Sequence, residues 1–320
     1  MKRVFVTGGS GFVGRNLIAA LGARGIAVRA LARSDAAAAT VRSVGAEPVR
    51  GDLSDRHRLQ DAMVGCDTVF HAAANVDEHG TLASHIEVTV RGTEHVLAAA
   101  RAAAVARFVH VSSEAVLADG KPIRRADETR PLPTHPAGPY PQSKGLAEQA
   151  VVAANAPDFA TVVIRPRMVW GAGDTSLLPK IVDAVKRGKF AWIGGGHYPT
   201  STCHIANVVE GALLAAERGT PGQVYFLTDG EPVDFRDFLT ALLATQDVTA
   251  KTRSVPRWLA SFLAAVTGWM KHPPVTRTAL ALLGHEVTVD DRKARTELGY
   301  TSAMTREAGL AALQAAGPPT

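Results

Sequence analysis

The chain has 320 residues, 46% of them hydrophobic, a formal net charge of +5 and an isoelectric point near 9.4. That content fills the core of one large or two smaller globular domains. No apolar run reaches the ~18 residues of a membrane-spanning helix, and residues 1–9 enter a strand-like run without a signal peptide's apolar core and cleavage site.

Two cysteines, Cys66 and Cys203, are too few for a disulfide framework and fit a reducing, cytoplasmic setting. Eleven histidines form no paired metal motif, so no metal is expected. The arginines are dispersed and not interleaved with aromatics, which argues against nucleic acid and for an anionic small ligand.

In chain order, short β-branched runs alternate with helical patterns. VFVTG is followed by a helix at 15–22, AVRALAR by one at 36–44, PVRGDL by one at 56–63 and DTVFHAA by one at 86–104; RFVHVSS, a helix at about 141–154 and TVVIRP complete the series. This repeated βαβ order predicts an α/β fold with a Rossmann-type doubly wound parallel sheet over residues 1–165. After Pro166 the regularity weakens, and helices at about 177–187, 205–217 and 234–244 are interrupted by strands such as QVYFLTD. A smaller C-terminal α/β substrate-binding domain is expected from 166–199 and 221–320, with about 200–220 returning to the first domain and ligand in the cleft between them.

The first strand runs directly into Thr7-Gly8-Gly9-Ser10-Gly11-Phe12-Val13-Gly14. Glycines at 8, 11 and 14 permit a tight turn, close approach of backbone N–H groups to a pyrophosphate, and packing of the following helix, whose N-terminus favours the anion. Gly51-Asp52-Leu53 follows the third strand, 67–74 reads DTVFHAAA, and Tyr140 precedes Lys144 by one helical turn.

In this order, over nearly the whole chain, these signposts resemble the extended short-chain dehydrogenase/reductase family of the NAD(P)-dependent epimerase/dehydratase superfamily. The resemblance implies that Asp52 binds the adenine amino group and that His71, Ala72, Ala73 and Ala74 line the cofactor. It extends the cofactor-binding set to Gly8, Ser10, Gly11, Phe12, Val13, Gly14, Leu53, Lys144 and Pro166. Outside that context Asp52 reads as a turn residue and His71 as a satisfied core histidine. NAD-binding members carry an acid at the end of the second strand, where this chain has Ala32 followed by Arg33-Ser34. A guanidinium there suits a 2′-phosphate, so the expected cofactor is NADP(H) rather than NAD(H), held by Arg33 with help from Ser34.

Ser113 matches the family's catalytic serine and lies beyond the strand RFVHVSS. Tyr140 begins a helix that tolerates Pro139 and Pro141 in its first turn, and Lys144 shares its face. A tyrosine of ordinary pKa ~10 needs help to move protons near neutrality, and the expectation is that the Lys144 cation favours its phenolate. By the resemblance, Ser113 holds the substrate oxygen, Tyr140 exchanges the proton and Lys144 holds the nicotinamide ribose. The family usually has asparagine where Thr89 stands, which puts a water relay to the lysine in doubt.

Three reactions use this scaffold. Dehydratases place Asp-Glu directly after the serine or threonine; here Glu114-Ala115 lacks the second carboxylate. Epimerases and dehydratases present asparagine near the sixth strand, where this chain has Met168, a thioether that cannot donate to phosphate. The stretch 165–174, with Ser113–Val116 in SEAV and His204 to Val208 in HIANV, is more similar to the 3β-hydroxysteroid dehydrogenase-like and dihydroflavonol reductase-like branch. His204 is read as a domain-junction residue more than a substrate contact; Met168 and Trp170 are pocket walls or core.

Residues 257–271 are apolar almost all round and flanked by cations. A buried helix or a lid over a greasy substrate is the favoured reading, with peripheral membrane contact as the alternative. The expected activity is interconversion of a secondary alcohol and a ketone on a small hydrophobic substrate, steroid-like or a long-chain β-keto compound, by a cytoplasmic enzyme that is a homodimer if it assembles. A sugar-nucleotide epimerase and a non-catalytic dinucleotide sensor are the alternatives.

Overall fold

The structure, a computed structural model, describes residues 1–317 apart from 78, 268–269 and 271–274. Seven strands form one parallel sheet: β1 (Arg3–Thr7), β2 (Ala27–Ala32), β3 (Glu47–Arg50), β4 (Thr68–His71), β5 (Arg107–Val111), β6 (Ala160–Pro166) and β7 (Val224–Leu227). Their order is β7-β6-β5-β4-β1-β2-β3. The central strands are buried on both faces, as the unbroken apolar runs Val4–Val6 and Val162–Ile164 require of a sheet sandwiched between helices. One face is covered by the Phe12–Ala23, Asp35–Ser43 and Ile205–Arg218 helices, the other by Arg56–Met63, Gly92–Ala102 and Pro139–Ala153. The order of strand addition reverses between β1 and β4, a switch point that opens a crevice at their carboxyl ends.

Three boundaries differ from expectation. The return to the main sheet continues past 220, because β7 pairs with β6 from Val224 to Leu227 and Ala294, Leu298 and Tyr300 join the same core. In the other direction, Ile123–Ala126 leaves the first 165 residues to form a second, four-stranded sheet with Val287–Val289, Pro199–Thr200 and Val233–Asp234. The helix expected at 86–104 is divided: Leu82–His85 leads into a π-helical turn, Ile86–Arg91, and then Gly92–Ala102. Within that break the Thr93 hydroxyl donates to the Thr89 carbonyl at 2.6 Å, and Leu53 packs where a Gly92 side chain would be.

The second lobe has its own core around Trp170, Trp192, Tyr198, Phe235, Phe238 and Leu239. Against it lies Arg257–Val266, which is neither buried nor closed over the site. Only Ala260 and Ala264 are buried, while Trp258 is 71% and Phe262 57% exposed. The end of the predicted 257–271 segment, at 268–269 and 271, lies outside the described residues. Among the described residues no helix is long and apolar enough to cross a membrane.

Candidate active site

A cavity of about 730 Å³ lies at the carboxyl ends of the strands, roofed by Thr278, Ala279, Leu282 and Leu283 of the second lobe. Every residue expected to take part in catalysis or to contact cofactor lines it, apart from His71. Two positions of the loop require glycine. Gly8 has φ +70°, and a Cβ there would stand 2.7 Å from the Ala72 and Ala73 backbone. A Cβ on Gly14 would stand 2.2 Å from the Gly8 carbonyl oxygen, so the helix starts this close to the turn only without a side chain.

At the other end of this groove, Arg33 and Ser34 are exposed at the start of Asp35–Ser43. The Ser34 hydroxyl caps that helix by accepting from the Ala37 N–H at 3.2 Å. The nearby Asp35 carboxylate sits 3.5 Å from Arg50. Asp52 faces the cavity too, and one of its oxygens closes a turn by accepting from the Ser54 N–H and hydroxyl at 3.1 Å each. The turn role and a cavity-facing role coexist at this residue.

His71 turns inward, against the expectation that it lines the cofactor. Its ring lies between the Thr7 and Thr93 hydroxyls at 2.6 and 2.8 Å and stacks on His110. Burial, with the Lys144 charge adding, pushes its pKa down to about 3, so it is a neutral core histidine. Thr89 accepts the Asn75 N–H at 2.9 Å and thereby fixes the loop after β4. His204 caps Ile205–Arg218 and packs edge-on to Trp170, a junction role, whereas Met168 is a cavity wall and Trp170 is core.

Ser113, Tyr140 and Lys144 line the same cavity. The Lys144 ammonium is buried and donates to the Val111 carbonyl at 2.7 Å. Burial lowers its pKa to about 8, partly offset by Glu148 one turn along the helix. Tyr140 departs from expectation: burial pushes its phenol up to about 12, the Glu114 charge adds to this, and Ser113 opposes it. Burial sets the direction of this shift.

Two further features escaped the sequence reading. Glu114, buried beside Ser113, accepts the Ser113 hydroxyl at 2.8 Å and pairs with buried Arg167 at 3.1 Å. Arg167 also donates to the Leu282 carbonyl at 2.8 Å in the roof and to Thr200 at 3.2 Å. His85 stands edge-on to the Tyr140 ring with centroids 6.3 Å apart. Glu114 directly follows the catalytic-type serine, which is a usable signal; nothing in the sequence marks His85 or links Glu114 to Arg167.

The profile of the 3-beta hydroxysteroid dehydrogenase/isomerase family matches residues 5–257. A 4-hydroxy-2-methyl-3-oxo-4-farnesyl-3,4-dihydroquinoline-1-oxide ketoreductase of Stigmatella aurantiaca is 53% identical over 99% of this chain and 97% of its own. A 2-alkyl-3-oxoalkanoate reductase of Stenotrophomonas maltophilia is 33% identical over 98% of each chain. In fold, the chain superposes on a dTDP-glucose 4,6-dehydratase from Streptomyces venezuelae solved with NAD, with a TM-score of 0.77 at 24% identity and coverage of 98% and 96%. The chain thus belongs to the 3-beta hydroxysteroid dehydrogenase/isomerase family and is an oxidoreductase of the extended short-chain dehydrogenase/reductase fold that acts on the CH–OH/C=O pair.

Proposed function

We propose that this enzyme reduces a ketone on a bulky apolar molecule, with NADP(H) as cofactor and Tyr140 as proton donor. The observation that carries the reading is Tyr140 and Ser113 lining one cavity whose roof includes Ala279, Leu282 and Leu283. The relative at 53% identity is named for a ketone on a ring that carries a farnesyl chain, which supports a prenylated or similarly greasy substrate.

The residues present fit a dinucleotide. Gly8 and Gly14 allow the tight turn that would bring backbone N–H groups at the N-terminus of Phe12–Ala23 to a pyrophosphate. Arg33, with Ser34 and the N-terminus of Asp35–Ser43, would hold a 2′-phosphate, and Asp52 the adenine. Bound reduced nicotinamide supplies the hydride that adds to the carbonyl carbon. Ser113 orients the carbonyl oxygen. Tyr140 gives that oxygen its proton, so that ketone, hydride and proton become a secondary alcohol. Lys144 keeps a positive charge near the developing phenolate and the ribose. Glu114 accepts a hydrogen bond from the Ser113 hydroxyl, and so positions the serine rather than meeting substrate.

The test is NADPH and NADH oxidation with a panel of apolar cyclic ketones, β-keto acids and nucleotide sugars. Ketone-dependent oxidation with NADPH preferred is expected, and Tyr140→Phe should lower kcat by about 10²–10⁴-fold. Full activity in the Phe variant would remove Tyr140 from the mechanism; turnover of a nucleotide sugar alone would overturn the substrate class.

A further inference from the structure

We propose that the roof helix, Arg277–Leu283, positions both Tyr140 and Ser113, through Thr278 in its first turn and Arg167 at its last, so that an apolar group bound beneath it raises kcat as well as affinity. Tyr140 and Ser113 belong to separate elements, the start of Pro139–Ala153 and the turn after β5. To act on one substrate oxygen they must be held in register, and small misplacements there are costly in rate. The roof helix is tied to both.

In its first turn the Thr278 hydroxyl donates to the Ala137 carbonyl at 3.0 Å. Gly138 comes next, at the N-cap of the helix that carries Tyr140, and its φ of +129° is one that glycine alone adopts readily. A Cβ on Gly138 would stand 2.4 Å from the Thr278 hydroxyl oxygen, so the roof approaches this turn more closely than a side chain there allows. Ala281, one turn along the roof helix, is buried in a cluster with Ala118 and Ala137. The Ala137 N–H donates to the Ala118 carbonyl at 2.8 Å, just beyond the Glu114–Leu117 turn that follows Ser113. Small side chains at all three points let these backbones pack closely.

At the other end the Leu282 carbonyl accepts from Arg167 at 2.8 Å; Arg167 pairs with Glu114 at 3.1 Å, and Glu114 accepts the Ser113 hydroxyl at 2.8 Å. The next carbonyls, of Leu283 and Gly284, accept from Tyr198 and, at 2.9 Å, from Arg257 of the second lobe. These are carbonyls that a helix end leaves unmatched, so the donors fix where the roof stops. Of the three, Arg167 is the one that reaches the partner of the serine.

Between the two ties, Ala279, Leu282 and Leu283 line the cavity. An apolar chain lodged against them bears on the helix that holds both catalytic side chains. Its binding then sets the reacting geometry and shows in kcat, where a passive wall would show in affinity alone. This consequence rests on the apolar-ketone reading; the tie from Thr278 to the Tyr140 turn does not.

Thr278→Val keeps the shape of the side chain and removes the donor, whereas Thr278→Ser keeps the donor. With NADPH and 2-alkylcyclohexanones from methyl to decyl, wild-type kcat should rise about tenfold along the series. Thr278→Val should lower kcat for the decyl ketone about tenfold and flatten the rise, with KM for NADPH unchanged, and Thr278→Ser should restore both. A flat wild-type series, a full rise in the Val variant, or a loss that the Ser variant shares overturns the proposal. Backbone amides at 138–144 should exchange hydrogen about tenfold faster in Thr278→Val than in wild type, whatever ketone is turned over. Unchanged exchange overturns the tie. Faster exchange without turnover of any ketone supports the tie and removes the substrate reading.

Discussion

At Lys144 the decisive fact is where the ammonium goes. One helical turn of spacing made the Tyr140–Lys144 pair legible, since residues four apart share a face whatever the helix packs on. The spacing could not reveal that the lysine donates to the Val111 carbonyl, because that acceptor belongs to a strand 33 residues upstream. The consequence is measurable. Burial brings the Lys144 pKa down to about 8 in the free enzyme, so its charge is present below that pH and is lost above it. The kcat/KM for ketone should therefore fall with a single-proton limb near pH 8, and Lys144→Arg, charged throughout, should retain activity without that limb. A wild-type profile that stays flat well past this limb would mean that the charge is not needed. Glu114 marks the opposite case, a residue visible in sequence whose partner is not: Arg167 lies 53 positions away and meets it only because β5 and β6 are neighbours.

Between elements, the Ser113–Glu114–Arg167–Leu282 chain of hydrogen bonds joins the end of β5 to the cavity roof. Both charges are almost wholly buried, so the pair is sensitive to the loss of one member. Arg167→Met leaves the Glu114 carboxylate alone and should destabilise the fold by about 3–5 kcal/mol in denaturant titrations. Adding Glu114→Gln should recover much of that loss, since no charge then remains uncompensated. Equal stability of the single and double variants would show that the pair contributes little. The helix at 257–266 teaches a related lesson. Its composition reads as apolar nearly all round, yet alanines occupy the packed face and the large side chains are left outside, a choice that periodicity alone does not make.

For the whole molecule, acid stability depends on buried histidines held neutral. His71, at about 3, and His110, well below its usual 6.5, are lowered first by burial, and the buried His204 and His285 move the same way. The unfolded chain takes up protons at these sites near 6.5, so it binds more than the native state between that value and the lowered ones. Stability should be full above about pH 6.5 and fall as pH drops below it, by up to about 1.4 kcal/mol per pH unit for each histidine. Both ring nitrogens of His110 are buried without a hydrogen-bond partner among the described residues. His110→Phe should reduce the pH slope of the urea midpoint without loss of stability at neutral pH. An unchanged slope would place the acid sensitivity elsewhere.

By itself the sequence determined the parallel α/β fold, the glycine loop and the shared helix face of Tyr140 and Lys144, each of which follows from local spacing; Ser113 was legible only through the family resemblance. Tertiary structure alone decided the acceptor of the Lys144 ammonium, the orientation of His71, the Glu114–Arg167 link, the membership of β7 in the main sheet and the outward face of Arg257–Val266. These depend on which distant atoms become neighbours, and on how much water they exclude, and neither quantity is encoded in the distance between residues along the chain.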